Sequence, residues 1–490
     1  MLTQYVSTRG KADKCSASQA ILTGLANDGG LYVPEIFPKI DNLTHLLSLS
    51  YQDLAINILK LFLTDYSSDE LKSCVYKAYD EKFDSQIIAP LEKRGEYYFL
   101  ELFHGPTLAF KDMALSFLPR ILKLAAKKHD INKKIVILTA TSGDTGKAAL
   151  EGFAHIEGVE IFVFFPSEGV SSIQKLQMQT QAGENTHVIA VNGNFDDTQT
   201  GVKKIFLENH LENVYLSSAN SINIGRLLPQ IVYYFSAYAQ MVHRFGLKEG
   251  DRINFTVPTG NFGNILAGYY AREMGLPIKT LLCASNDNRV LYDFFTKGDY
   301  DKNREFIVTT SPSMDILVSS NLERLLYHIG GSEITAELMD QLSKKGKYSF
   351  LTEKPGFAAN CATQDESNEG IRRMYNDNGY ILDPHTAVAY VSYRKYRTET
   401  NDFTPNIILS TANPFKFPES VCKAISQQNF SKVNFQDAFG ALEILKKLSL
   451  SPAPSQIMNL KTKKVRHSIV CMPDEMGELL FKILALDALK

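Results

Sequence analysis

From residue 97 onward, the chain alternates short, continuously apolar runs with segments that repeat apolar residues at helical spacing. Apolar runs without a polar face are typical of strands buried on both sides in a parallel sheet. The sequence therefore predicts an α/β fold with parallel sheets flanked by helices, and ligands at the carboxyl ends of the strands. The predicted strands are 97–103, 133–140, 159–166, 186–191, 214–220, 252–258, 278–285 and the start of 406–414.

The regions on either side of this alternation differ from it. Residues 1–95 combine a turn-rich stretch at 27–40 with helical periodicity, which predicts a mainly helical N-terminal domain. Within it, YVSTRG at 5–10 predicts an N-terminal strand, although this segment could also fold over a site. Beyond residue 290 the rhythm is irregular; 311–331 and 335–348 are predicted helices of an insertion, and the tail to residue 490 is predicted to be mostly helical.

Length and composition narrow the class of function. A chain of 490 residues exceeds what one hydrophobic core usually supports, so two or three domains are expected. A net charge of -2 gives no general attraction to nucleic acid or to an anionic membrane, which favours small-molecule partners. The six cysteines show no metal-type spacing, and no apolar run suggests a signal peptide or a membrane span. We expect a cytoplasmic protein with reduced thiols and no metal site.

The motif HGPTLAFKDMA, at 104–114, places Lys111 where a predicted strand gives way to a predicted helix. The helix macrodipole and local burial both disfavour an ammonium ion at such a position, so the pKa of Lys111 should fall. The amine then becomes available as a nucleophile or base. Most lysines at helix starts are solvated surface groups, and the motif alone leaves both interpretations open.

Two later motifs pass from a strand through a small-residue turn into a helix. In LTATSGDTGKAA, at 138–149, backbone amides and hydroxyls can converge on a carboxylate or phosphate, although an ordinary capped turn has the same pattern. This motif fails the P-loop pattern because Thr141 replaces the first glycine and Ala148 the final hydroxyl residue. In VPTGNFGNILAG, at 257–268, glycines allow the backbone to approach a phosphate closely.

A third polar cluster precedes a long predicted helix. SSANSINIGRLLPQ, at 217–230, places Asn223 and Arg226 where an arginine could bind an oxyanion through two hydrogen bonds. A surface ion pair of Arg226 is the alternative; the polar residues around it favour a site.

A reactive lysine, a glycine loop for a phosphate and a separate anion turn together fit pyridoxal phosphate (PLP) chemistry. Seven stretches of the chain resemble, in their order along it, the threonine synthase family in its longer bacterial and fungal form. They are HGPTLAFKDMA, ATSGDTG, NSINIGRLLPQ, GNFGN, SPSMDI with SSNLER, DPHTAVA and LSTANP. The resemblance implies PLP fold type II, which is tryptophan synthase beta-like. It also implies conversion of O-phospho-L-homoserine and water to L-threonine and phosphate. The implied division is 1–95, a smaller α/β subdomain at 96–220 and a larger one at 221–490, with a helical insertion at about 300–400.

The resemblance also implies roles for particular residues. Lys111 matches the lysine that holds PLP as a Schiff base, and Thr411 matches the hydroxyl residue that faces the pyridine nitrogen. Asn223 and Arg226 align with residues that bind the substrate phosphate. The loop for the cofactor phosphate comprises Gly260, Asn261, Phe262, Gly263 and Asn264. The turn for the substrate carboxylate comprises Thr141, Ser142, Gly143, Asp144 and Thr145.

Two positions depart from the family pattern, in which Asn413 is expected to be histidine and Phe415 a small residue. These changes bear on substrate discrimination rather than on cofactor binding. His385, in DPHTAVA, could be an active-site group or a structural residue near a turn. A phospholyase or dehydratase of the same fold is the nearest rival, and a catalytically silent binding module is the second. We expect a monomer or a homodimer.

Overall fold

The computed structural model describes residues 3–141, 143–167, 170–193, 195–207, 213–426, 437–450 and 452–487. Its strands are β1 Tyr5–Ser7, β2 Tyr32–Pro34, β3 Leu91–Arg94, β4 Tyr97–Glu101, β5 Lys134–Ala140, β6 Val159–Pro166, β7 Thr186–Val191, β8 Val214–Ser218, β9 Ile253–Pro258, β10 Ile278–Ser285, β11 Asp299–Asp301, β12 Lys347–Ser349, β13 Phe357–Cys361, β14 Asn406–Ser410 and β15 Ile469–Cys471.

The helices lie mostly between these strands. They are α1 Ala17–Thr23, α2 Leu43–Leu47, α3 Tyr51–Phe62, α4 Ser68–Ala78, α5 Asp112–Leu115, α6 Leu118–Lys128, α7 Asp144–Phe153, α8 Ser172–Gln179, α9 Phe195–Leu207, α10 Ile224–Phe245, α11 Gly263–Met274, α12 Val290–Lys297, α13 Leu322–Lys345, α14 Gln364–Asn378, α15 Pro384–Thr400, α16 Pro418–Ser426, α17 Ala438–Leu448, α18 Ser455–Met458 and α19 Met476–Asp487. Among the described residues, no helix is both long and apolar enough to cross a membrane.

Two sheets form the centre of the molecule. The five-stranded sheet has the order β15-β7-β6-β5-β8, and all of its neighbouring pairs are parallel. The six-stranded sheet has the order β13-β10-β9-β14-β4-β3, and only β3, at its edge, runs antiparallel to its neighbour. The central strands are buried along their whole length, as in β9 and β14. The predicted α/β fold with parallel sheets flanked by helices is confirmed.

The sheets take strands from distant parts of the chain. Strand β4 pairs with β14, although β5 to β8, which follow β4 directly, form the other sheet. Strand β15, near the end of the chain, pairs with β7. The domain boundaries at residues 95 and 220 stay a prediction. Each of the two sheets contains strands from both sides of residue 220.

The N-terminal region is mainly helical and contributes to the same core as the sheets. β1 pairs antiparallel with β2, so YVSTRG begins as the predicted strand. Helix α1 packs on α6, and α3 packs on α10. Ile58 and Phe62, on α3, belong to one apolar cluster with Tyr234 of α10 and Leu409 of β14. This shared core fixes the N-terminal helices against the elements that carry the site.

Two predicted helices differ from the structure. The segment 311–331 contains only a single 3₁₀ turn, Pro312–Met314, before α13 begins at Leu322. The carboxylate of Asp315 accepts hydrogen bonds from Thr309 and from the side-chain amides of Asn286 and Asn288, contacts that compete with helix formation. The apolar segment after Lys111 is two helices, α5 and α6, with a proline in the first turn of α6.

Candidate active site

A cavity of about 900 Å³ opens at the carboxyl ends of strands from both sheets. Ala140 and Ser218 end β5 and β8 on one side, while Pro258 and Thr411 stand at the ends of β9 and β14 on the other. This is the position that the sheet architecture predicts for a ligand. The N-terminal region also contributes to the wall, with residues that include Arg9, Gly24 and Leu31.

Lys111 stands in this cavity at the N-terminus of α5 and is 9% exposed. Its Nζ donates a hydrogen bond to Ser313 Oγ over 3.1 Å and lies 4.0 Å from Asp144 Oδ2. Burial, assisted by the positive charges of Lys416 and Arg226, lowers the pKa of Lys111 to about 8, although Asp144 opposes the shift. The predicted depression of the lysine pKa is therefore present, with burial as its main cause.

The glycine loop (residues 260–264) leads from β9 into α11 and lines the cavity. Phe262 adopts a left-handed backbone conformation with φ of 59°, so the chain turns sharply before the helix begins. A Cβ atom at Gly260 would lie 2.4 Å from the carbonyl oxygen of Ser313, which explains why this position needs glycine. The amides of the first turn of α11 face the loop end, where a helix binds anions.

Asn264 holds an unused donor at the start of α11. Its Oδ1 accepts hydrogen bonds from the hydroxyls of Tyr233 and Tyr234, at 2.6 and 3.1 Å. Its Nδ2 is buried and has no hydrogen-bond partner within the described ranges. Since Asn264 lines the cavity, the amide group is fixed in place with a donor to spare.

The anion turn (residues 141–145) lies between β5 and α7. The side chain of Thr141 accepts hydrogen bonds from the amides of Gly143 and Gly146, and both Thr141 and Thr145 line the cavity. The side chain of Asp144 points to Lys416 and Gln174 instead, at 2.7 Å from each. Ser142, the remaining predicted member, lies outside the described residues.

Arg226 and Asn223 are both buried but differ in what they offer to a ligand. Arg226 lines the cavity and donates through one Nη to Ala219 O, while its Nε has no hydrogen-bond partner among the described residues. Burial lowers the pKa of Arg226 to about 10. Asn223 caps α10 through Oδ1 and donates through Nδ2 to Ile21 O over 2.8 Å, and it does not line the cavity. The structure therefore brings Arg226, but not Asn223, to the cavity.

Thr411 follows β14 and lies across the cavity from the anion turn. It is buried, and its backbone is held on both sides: its N–H donates to Thr386 Oγ1 over 3.3 Å, and its carbonyl accepts from the Phe110 amide over 2.8 Å. The second contact joins Thr411 to the segment that carries Lys111. A hydroxyl at this fixed position can meet a ring nitrogen without supplying a charge.

Three further side chains act on Lys111, either directly or through one another. Ser313 accepts the lysine hydrogen bond, and its own amide donates to His385 Nε2 over 3.2 Å. His385 Nδ1 lies 2.9 Å from Asp383 Oδ1, so the ring carries its proton on Nδ1 and accepts at Nε2. His385 lines the cavity and is held by Asp383 and the Ser313 amide, so its role as an active-site group stays a prediction. Lys416 is the third side chain, and it forms an ion pair with Asp144. Nothing in its local sequence indicates this partner.

The two departures from the family pattern lie outside the cavity wall. Asn413 Oδ1 accepts from the Phe415 amide over 3.0 Å and caps the short 3₁₀ turn that follows. Phe415 packs in the apolar cluster that contains Val421 and Leu442. Neither side chain lines the cavity as the structure describes it.

Comparison with known families defines the class of protein. The family described as "Pyridoxal-phosphate dependent enzyme" matches residues 88–409, which include the cavity's glycine loop, anion turn and Lys111. The fold and the site are those of a pyridoxal-phosphate dependent enzyme. Two more specific families, "Threonine synthase N terminus" and "Threonine synthase, C-terminal", match residues 4–79 and 386–469.

Individual relatives agree with this assignment. A threonine synthase from Pseudomonas aeruginosa is 42% identical over 435 residues, covering 86% of this chain and 90% of the relative. The PLP-bound threonine synthase from Brucella melitensis has a TM-score of 0.85 at 35% identity, with 98% of each chain covered. The yeast enzyme has a TM-score of 0.87 at 34% identity, with 99% of each covered. The chain belongs to the threonine synthase family, its cofactor is PLP and its fold is the predicted one.

The residues present fit this cofactor. A buried lysine of lowered pKa suits its aldehyde, and the glycine loop suits its phosphate together with Asn264 Nδ2, which has no partner among the residues that the structure describes. Within the described ranges, no group of three or more His, Cys, Asp or Glu side chains is arranged to hold a metal.

Proposed function

We propose that this chain converts O-phospho-L-homoserine and water to L-threonine and phosphate. The observation that carries the proposal is the position of Lys111: a buried lysine with a pKa lowered to about 8, set among the glycine loop, the anion turn and Arg226 in one cavity. A substrate with a carboxylate at one end and a phosphate at the other needs two separate anion sites beside the cofactor. The family membership of the chain supports the same reaction.

The proposed cofactor site places each group of PLP against a suitable donor. Lys111 Nζ would bind the aldehyde covalently, and the glycine loop with Asn264 Nδ2 would hold the phosphate. Thr411 would meet the ring nitrogen through a hydroxyl, which does not force the ring to be protonated. When bound, the cofactor supplies an electron sink for carbanions formed next to the substrate amino group.

The proposed substrate site uses the two remaining anion-binding groups. The anion turn would hold the carboxylate, with Thr141 organising the backbone amides and Thr145 facing the cavity. Arg226, whose Nε has no partner within the described ranges, would bind the phosphate. We include Asn223 as the residue that fixes this end of α10, since its side chain already caps the helix. Lys111, once displaced from the cofactor, would remove the α proton and then a β proton.

We also propose a cytoplasmic protein that acts as a monomer or a homodimer and is divided near residues 95 and 220. The six cysteines, none of which is in a disulfide, support a reducing compartment. Light scattering on purified protein would measure the oligomeric state.

The deciding experiment follows phosphate release from O-phospho-L-homoserine together with amino-acid analysis of the product. Equal amounts of phosphate and threonine are expected, and 2-oxobutanoate would point to the phospholyase or dehydratase rival instead. Lys111→Ala is the matched control, since it should abolish both the visible band of the bound cofactor and turnover. A wild type that shows no visible band with PLP would overturn the proposal and favour a binding module.

A further inference from the structure

Lys416 is a charged side chain with no exposed surface, placed just behind the cavity. It ends the 3₁₀ turn after β14. Its Nζ lies 2.7 Å from Asp144 Oδ1 and donates to the carbonyl oxygen of Thr107 over 2.8 Å. Burial of an ammonium ion costs several kcal/mol unless it is paired and hydrogen-bonded, and these two contacts supply the ion pair and the hydrogen bond.

These contacts join three parts of the site. Asp144 belongs to the anion turn of the five-stranded sheet, whereas Lys416 follows a strand of the six-stranded sheet. Thr107 lies in the loop that leads to Lys111, and this loop is itself held by hydrogen bonds from Thr107 to Asp112. Through these contacts Lys416 links the end of the six-stranded sheet to the anion turn of the five-stranded sheet, beside the reactive lysine.

The Asp144 carboxylate lies between two lysines, Lys416 on one side and Lys111 on the other. Asp144 presents Oδ1 to Lys416 over 2.7 Å and Oδ2 to Lys111 over 4.0 Å. Burial alone would raise the pKa of Asp144, but the positive charges of Lys416 and Lys111 hold it well below its usual range. Arg226 is the other cation that lowers the pKa of Lys111. Asp112 also interacts with Lys416, and its carboxylate accepts the hydrogen bonds from Thr107.

We propose that Lys416 is a positioning residue that acts through Asp144: it holds the anion turn against Lys111 and keeps the Asp144 carboxylate from pairing fully with the lysine amine. The inference rests on the proposed function for its catalytic consequence. Without Lys416, the whole charge of Asp144 acts on Lys111, whose amine then keeps its proton to a higher pH, so that less of it is free to act as a nucleophile or base near neutral pH. The anion turn also loses its link to the six-stranded sheet.

The test is a set of variants of the PLP-loaded enzyme, each followed by pH titration of its visible band and by kcat and KM. In Lys416→Met, we expect the apparent pKa of the band to rise by about 1 and kcat to fall at least about tenfold. Lys416→Arg keeps the charge and should restore the titration. Lys416→Met with Asp144→Asn removes both charges, and the apparent pKa should fall below that of the wild type, since Asp144 acts on Lys111 more strongly than Lys416 does.

Lys279→Met is the matched control. Lys279 forms an ion pair of 2.8 Å with Asp402 and does not line the cavity, so its loss should leave the titration and kcat unchanged. If Lys416→Met does not fold, the double variant, which removes both members of the buried Lys416–Asp144 pair, gives the answer alone. A wild-type titration in Lys416→Met, or in the double variant of Lys416→Met with Asp144→Asn, would overturn the inference. Because the titration needs only bound cofactor, a wild type that forms no threonine would reject the proposed function without obscuring this result.

Discussion

Arg226 is a buried residue that lines the cavity, and its Nε has no hydrogen-bond partner in the part of the chain that the structure describes. A hydrogen bond between charged partners in such a place stabilises a complex by about 1.5 to 3 kcal/mol. We therefore expect Arg226→Gln to lower kcat/KM for the phosphorylated substrate by about 10- to 100-fold, through KM. Steady-state kinetics would measure this change, with the visible cofactor band as a check that PLP still binds. An unchanged KM would mean that the substrate phosphate lies elsewhere.

His104 provides a test of stability against pH. Burial alone would lower its pKa, but hydrogen bonds and charge from Asp84 and Glu101, at 2.5 and 2.9 Å, raise the pKa from 6.5 to about 9. A cation stabilised by folding contributes its full stability below the unfolded pKa of 6.5 and loses it as the pH rises through 9.

His104→Gln should therefore be destabilised relative to the wild type by about 2 kcal/mol more at pH 6 than at pH 9.5. Urea unfolding at a series of pH values measures this difference. Curves for wild type and variant that stay parallel across the range would show that His104 is not charged in the folded protein.

At the scale of single residues, the sequence predicts a group well when its chemistry depends on its own neighbours along the chain. Lys111 follows a strand and begins a helix, and its place at a strand end was predictable from that motif, whereas the burial and the charges that set its pKa come from residues distant in the chain. Lys416 lies 272 positions after Asp144 in the sequence, and nothing in either local motif indicates that they pair. Asn223 shows that a motif can match the family although the side chain has another role in the structure. It was predicted to bind the substrate phosphate, but its side chain caps a helix.

At the scale of elements, the glycine loop and α11 act as one unit that depends on close backbone packing. A methyl group at Gly260 would lie 2.4 Å from Ser313 O, and this backbone atom cannot move without shifting the partner of Lys111. We expect Gly260→Ala to weaken PLP binding at least about tenfold, as measured by titration of the visible band.

Gly477→Ala is the control for this change. Gly477 lies in α19, and the nearest atom to an added Cβ is 3.7 Å away, on the Ile205 side chain. Its substitution should leave cofactor affinity as in the wild type. Equal affinities for both alanine variants would show that the loop can move away from Ser313 without loss.

Central strands such as β6, β9 and β14 were predictable because their apolar runs are buried on both faces, whereas the edge strands β3, β13 and β15 are short or partly exposed and were not predicted. The segment 311–321 was not, because its residues have helix-like spacing but use their side chains on distant partners. Asp315, in particular, gathers Thr309, Asn286 and Asn288 into one buried cluster. A pattern of apolar residues carries no information about such contacts.

At the scale of the whole molecule, strand order is the part of the fold that the sequence leaves open. Continuous apolar runs look alike, so they identify parallel strands without saying which sheet each joins. β4 lies in a different sheet from β5 to β8, which follow it along the chain, and β15 lies in a different sheet from β14, which precedes it. The cavity, placed where the two sheets meet, was predictable only as a position at strand ends.

The N-terminal region joins this arrangement through polar as well as apolar contacts. Tyr79 donates to the carbonyl of Met113 over 2.7 Å, just beyond Lys111. Asn223 and Ser217 donate to the carbonyls of Ile21 and Leu22, at the end of α1, over 2.8 and 3.0 Å. These buried donors would lose their partners if the N-terminal helices separated from the rest of the chain.

We therefore expect residues 3–95 to unfold together with the site rather than before it. On heating the PLP-loaded enzyme, the far-ultraviolet circular dichroism of the helices and the visible dichroism of the bound cofactor should change in one transition with a common midpoint. The reason is that α1 and α3 share one apolar core with α6, α10 and β14, so opening that core exposes the elements that hold Lys111. Loss of helical signal at a lower temperature, with the cofactor band intact, would instead identify the N-terminal region as an independent domain.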